Sequence, residues 1–112
     1  DFVKVSEPLE GAHPEFTFKV EKRQGTPRPK PTTASGSDHA YFAMEGVPTI
    51  GFSLTDPKGY NFSYDEIWHT ERDTYNKSIP EYQEHTATVT AVILYGLANL
   101  DHLLSRDGLY AE

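Results

Sequence analysis

An α/β layer is the fold class this sequence predicts, and three observations predict it. Residues 16–22, FTFKVEK, alternate Phe16, Phe18 and Val20 against Thr17, Lys19 and Glu21, the period of a strand with one buried face. A short helix and a second apolar run, VPTIGFSL at 47–54, follow in order, and such a run marks a strand covered on both faces. A long amphipathic helix closes the chain.

Each element has its own signal. Residues 1–15 mix apolar and charged side chains with Pro8, Gly11 and Pro14, and predict an extended lead-in or short strand followed by a turn. From Gln24 to Ser37, Gly, Pro, Thr and Ser dominate, so a loop of about a dozen residues is expected, long enough to suggest more than a connecting role. In SDHAYFAMEG, Ser37 is a candidate cap, Asp38 suits the positive end of a helix dipole, and Gly46 can end the helix in a left-handed conformation. TDPKGYNFSYDE at 55–66 reads as a loop beyond the carboxyl end of the second strand, where ligands gather in α/β sheets. For the last helix, Ser78 and Glu81 form a capping box around Pro80. Val89, Val92, Ile93, Leu97, Leu100, Leu103 and Leu104 then carry an apolar stripe to an end near Arg106. Gly96 within it predicts a close approach to the sheet.

Composition bounds the function. The chain has 112 residues, a net charge of −7 and no cysteine. One core is expected. The charge disfavours phosphate backbones and anionic lipid, and the single basic run, Lys22, Arg23, Arg28 and Lys30, carries no aromatic residue for base stacking. No nucleic-acid partner and no membrane span are expected. Disulfides and thiolate chemistry are excluded, so any metal ligands must be His, Asp or Glu. The chain begins at Asp1 rather than methionine, which reads as removal of something upstream.

Five histidines are present. His85 and His102 fall in the predicted long helix, and His13 precedes a proline in a predicted turn; all three read as structural or surface residues. His39, next to the candidate cap Asp38, lines a pocket or supports a neighbour at most. His69 stands in DEIWHTERDT between two ordered stretches, after Trp68, which must be buried or line a pocket. Thr70 and Asp73 follow, and either can orient an imidazole by hydrogen bonding. Spacing alone leaves two readings, a metal ligand or a loop histidine beside an anchoring tryptophan.

The ordered set SGSDHAYFAMEGVPTIGFS, a polar loop, WHTERDT and a terminal helix resembles the carboxyl-terminal third of the co-catalytic zinc aminopeptidases. That family includes glutamate carboxypeptidase II and is related to the glutaminyl cyclases. The resemblance covers about Ser35 to Leu104, and residues 1–34 show no family motif. It implies the carboxyl-terminal fragment of a three-layer α/β/α fold, a mixed sheet between helices. Residues 1–34 would be its strand and loop lead-in, and 35–112 its metal-ligand loop and terminal helix. It implies a zinc-dependent exopeptidase, an aminopeptidase by preference, using two zinc ions and metal-activated water on a peptide substrate. His69 would be the last ligand of the metal pair, and Asp38 would support the hydrogen bonds around it or cap its helix.

Trp68 stands where the peptidases often have tyrosine, and has no hydroxyl, so it is a candidate for an oxyanion or substrate contact through its ring nitrogen alone. The same tryptophan is similar to the WHT of glutaminyl cyclases, which are acyltransferases. Against the cyclases, S-D-H replaces their D-D-H. Tyr60, Phe62 and Tyr64 would wall a side-chain pocket, or anchor their loop. A non-catalytic binding domain like the transferrin receptor ectodomain is the third reading.

The bridging aspartate, second histidine, remaining acidic ligands and general base of the family have no counterpart before Ser35, which offers neither H-x-D nor an acidic pair. The chain alone is therefore expected to be inactive, with the rest of the enzyme or another copy as its partner. The family resemblance also implies secretion or a periplasmic location, and the sequons at Asn61 and Asn76 would be usable only in a eukaryotic secretory route.

Overall fold

Helices, turns and irregular backbone make up the described residues of this chain, 1–21 and 24–111, in a computed structural model. Among the described residues, four α-helices occur in order, α1 (Phe2–Ser6), α2 (His39–Met44), α3 (Tyr64–Ile67) and α4 (Pro80–Ala98), with 3-10 turns at Glu7–Leu9 and Tyr75–Lys77. These residues fall into two compact units. One comprises Asp1–Val20 and Ser53–Leu100, the other Glu21–Phe52 and Asp101–Glu112.

The first unit is built on α4. Val89 and Ile93, one helical turn apart, are buried with Leu9, and Phe2, Phe18, Val92 and Leu97 pack around them. The lead-in expected to be extended is helical instead. Phe2, Val5 and Leu9 recur at helical spacing, and turning the backbone into α1 and its 3-10 extension lets these residues reach α4. The close approach expected of Gly96 exists, but its partner is α1. A methyl group at 96 would lie 2.6 Å from the Cβ of Val5.

Both ends of α4 depart from the sequence reading. The capping box does not form: the N-cap is Ile79, with no side-chain cap bond, and Pro80 takes the first helical position. Ser78 Oγ accepts from the Gln83 side chain, and Glu81 is drawn to Lys58. The helix stops at Ala98 rather than near Arg106. The Asn99 side chain donates 2.8 Å to the Tyr95 carbonyl, a local bond that competes with continuation. His102 therefore lies outside the helix, and Leu103 is 92 % exposed.

No strand occurs among the described residues; an isolated bridge joins Pro29 to Ala111 in the second unit. The alternation at 16–21 survives as burial without a ladder. Phe16 is buried, Phe18 and Val20 are half-buried, and Thr17, Lys19 and Glu21 are exposed, while Lys22 lies outside the described residues. The run at 47–54 is not covered on both faces, since Ile50, Phe52 and Leu54 are all exposed. A strand is defined by a ladder to a neighbour, and no ladder forms at either run among the described residues.

In the second unit, α2 buries Ala40 and Ala43 and ends, as predicted, at Gly46 with a left-handed φ of 71°. The expected side-chain cap is not made. Asp38 takes the N-cap position with helical dihedrals and no side-chain bond to the helix. Of the basic run, Lys22 and Arg23 lie outside the described residues, and Arg28 and Lys30 are exposed. No helix of the described residues is long and apolar enough to cross a membrane.

Candidate functional site

The turn carrying His69 is assembled from its immediate sequence. Ser63, in extended conformation, leads into the single turn of α3, whose first residues include Asp65 and Glu66 at the favourable end of the peptide dipoles. Ile67 is buried and pins the turn from inside. Trp68 leaves helical geometry at φ −58° and ψ 123°, and His69 follows at φ 55°. That left-handed conformation is uncommon outside glycine. Thr70 closes the turn: its hydroxyl donates to the carbonyls of Ile67 (2.8 Å) and Glu66 (3.1 Å) and accepts the Arg72 N–H at 3.2 Å.

One aromatic ring meets the imidazole, and a second stacks on the first. Tyr64 stacks on Trp68 with centroids 5.8 Å apart and planes 19° from parallel, and the Trp68 ring meets His69 edge-on at 4.3 Å. Burial of Trp68 is not what the fold provides, since 54 % of the residue is exposed. Nor do Thr70 and Asp73 orient the imidazole. The threonine hydroxyl is committed to backbone, and no hydrogen bond joins either side chain to His69 among the described residues. The ring nitrogens of His69 and the indole N–H of Trp68 are thus unclaimed there.

The three aromatic residues of the preceding loop divide. Tyr60 and Phe62 pack against Tyr82 of α4, at 5.6 and 6.4 Å, and anchor the loop; Tyr64 joins Trp68. Asp38 and His39, both exposed, belong to the second unit.

Sequence reasoning missed a polar network in the first unit. Asp56 accepts the Tyr82 hydroxyl at 2.6 Å and the backbone N–H groups of Tyr60 (2.9 Å) and Phe62 (3.1 Å). The Tyr82 hydroxyl, together with these backbone donors, holds the Asp56 carboxyl below its usual range, against the opposing effect of burial. Tyr82 is pushed up by burial and by Asp56. Lys58 Nζ bridges Glu15 (2.8 Å) and Glu81 (2.6 Å) and lies 5.3 Å from the centre of the Phe16 ring. The two carboxylates raise the Lys58 ammonium above its ordinary value, and Lys58, then Tyr60, lower Glu81. Beside them His13 stacks on Phe16 at 4.6 Å, and burial pushes His85 down. The signal available in the sequence was D-P-K-G, a turn whose aspartate commonly bonds the backbone that follows it.

A family model for peptidase family M28 matches residues 6–94, most of the chain and every residue of the His69 turn. The chain belongs to peptidase family M28. The match extends upstream of Ser35 to Ser6, beyond the stretch in which motifs are legible. No curated protein and no solved structure matches the chain. Membership of family M28 makes it a metallopeptidase-family chain, and peptidases of the family generally depend on zinc.

The residues present meet that requirement in part. His69 offers an exposed, unclaimed imidazole, the right donor for zinc. Among the described residues no three His, Asp or Glu side chains gather as a metal would need. These residues alone do not close a metal centre.

Proposed function

We propose that this M28 chain serves a zinc-dependent exopeptidase acting at the amino end of peptides, with His69 as one metal ligand and the Tyr64–Trp68 stack as a substrate contact. The observation that carries the reading is the His69 turn itself. A non-glycine residue held left-handed, with both ring nitrogens unclaimed, is the kind of local strain that concentrates at functional sites. Zinc, when bound, supplies Lewis acidity and an activated water. The chain's own part is to hold the backbone of the turn through the Ile67 plug and the Thr70 bonds, and to offer the Trp68 indole N–H to a carbonyl oxygen.

The remaining ligands and the general base come from residues other than those described, from the rest of a longer enzyme or another copy. The three-layer fold is completed in the same way, and the chain alone is inactive. What supports this is that no three His, Asp or Glu side chains gather among the described residues. The reading places the enzyme outside the cytoplasm, and both sequon asparagines, Asn61 and Asn76, are exposed.

One observation favours a second reading. Trp68 in place of a tyrosine suits a glutaminyl cyclase-like acyltransferase. The test is to give the longest product of the gene, loaded with zinc, unblocked peptides, N-acylated peptides and peptides beginning with glutamine. An aminopeptidase releases free amino-terminal residues from the first group and spares the second. Pyroglutamyl product without hydrolysis selects the cyclase, and no reaction with any of them overturns the enzyme reading.

A further inference from the structure

We infer that Asp56 and Tyr82 are positioning residues that clamp the loop before α3 and thereby set where the Trp68–His69 turn stands. The inference rests on the reading of His69 as a ligand for its functional meaning, but its geometry is independent of any metal.

A single helical turn cannot hold its own place, because so short a helix is unstable in isolation. α3 therefore takes its position from what flanks it. On one side stand Ile67 and Thr70, already described. On the other, the loop from Asp56 to Phe62 is folded around one carboxylate. Asp56 is half-buried, and its Oδ1 takes both the Tyr60 N–H and the Tyr82 hydroxyl, while Oδ2 takes the Phe62 N–H. The same Tyr82 oxygen accepts the Lys58 N–H at 3.0 Å. One phenol from α4 thus ties to Asp56 and Lys58 at the start of the loop. Asn61, between Tyr60 and Phe62, is left-handed at φ 57°, and the Lys77 ammonium holds its carbonyl at 2.8 Å. One residue, Ser63, separates this clamp from α3. Tyr64, which stacks on Trp68, is the next residue after it.

Trp68 is the chain's single tryptophan, so its emission reports this turn alone. The experiment is acrylamide quenching of Trp68 in the complete chain, comparing Tyr82→Phe and Asp56→Asn with the parent. Tyr95→Phe, the same chemical change at an exposed site on α4, is the control. The clamp predicts a quenching constant raised about 1.5-fold or more in both variants and unchanged in the control, with the helix signal in circular dichroism preserved. Parent-like quenching in both variants overturns the inference. Should Asp56→Asn not fold, Tyr82→Phe carries the test, since it keeps the ring contacts with Phe16, Tyr60 and Phe62. On the unaltered chain, hydrogen exchange of the Tyr60 and Phe62 amides must be slowed by about tenfold or more against an unstructured peptide, and unprotected amides overturn the clamp. If instead His69→Ala retains zinc, the ligand reading fails while the quenching result still stands or falls by itself.

Discussion

Gly96→Ala tests how tightly α1 packs on α4. In an open helical site this substitution stabilises by about 1 kcal/mol through helix propensity. Here the added methyl would lie 2.6 Å from Val5 Cβ, 3.1 Å from its Cγ1 and 3.5 Å from its Cα. Carbon atoms pack comfortably at about 3.5–4.0 Å, so the overlap with Cβ approaches 1 Å. Rotation about χ1 moves Cγ1 but leaves Cβ where the backbone puts it, so α1 itself must shift. Overpacking of this kind costs about 1–3 kcal/mol, which cancels or exceeds the propensity gain and leaves a net loss of about 0–2 kcal/mol. Val5→Gly removes both close atoms and leaves only the ordinary contact with Cα. In the double mutant the alanine regains its propensity benefit, giving a favourable coupling of about 1–3 kcal/mol between the two sites. Urea unfolding followed by circular dichroism on the parent, both single mutants and the double mutant measures it. A Gly96→Ala variant stabilised by about 1 kcal/mol, whatever residue stands at 5, would refute the packing.

Two further outcomes follow from the same geometry. His69→Gly relieves a left-handed residue and should raise stability by up to about 1 kcal/mol in urea unfolding, while removing the proposed metal ligand; a loss of stability would show the histidine side chain to be structural. Acidification should weaken the fold in two stages. His85 is held below its ordinary 6.5, so the unfolded chain binds its proton more readily, and the stability from the neutral ring is present above pH 6.5 and fades below it. Asp56 and Glu81 are held below 3.8 and 4.5, so their contributions are intact above about pH 4.5 and are lost as pH falls through their lowered values. Urea midpoints measured from pH 7 to pH 3 check both stages, and Tyr82→Phe should flatten the Asp56 part of the acid limb.

The sequence made short-range signals legible. Gly46 ends α2, Pro80 opens α4, and Val89, Val92, Ile93 and Leu97 form the face that packs, because each depends on neighbours within a few residues. The alternation at 16–22 predicts a strand with one buried face, and the described residues keep the alternate burial without a ladder. Burial follows from side chains in the chain itself, whereas a ladder needs a partner that local sequence cannot supply. The capping box failed for a related reason: Glu81 was drawn to Lys58, twenty-three residues away in sequence, in preference to the helix terminus. At the candidate site, the sequence sets His69 beside Trp68, but the left-handed backbone of His69 and the stack of Tyr64 on Trp68 carry no local signal. The Asp56 clamp spans twenty-six residues to Tyr82, and only its D-P-K-G turn left a mark in the sequence.

Whether His69 binds metal is decided by zinc content, measured by elemental analysis. The measurement is made on the 112-residue chain and on the longest product of its gene, each as parent, His69→Ala and His102→Ala. With His69 as a ligand, the longer product holds zinc, loses it with His69→Ala and keeps it with His102→Ala, while the 112-residue chain retains none. Zinc held equally well without His69, or none in the longer product, would show that His69 is not a metal ligand.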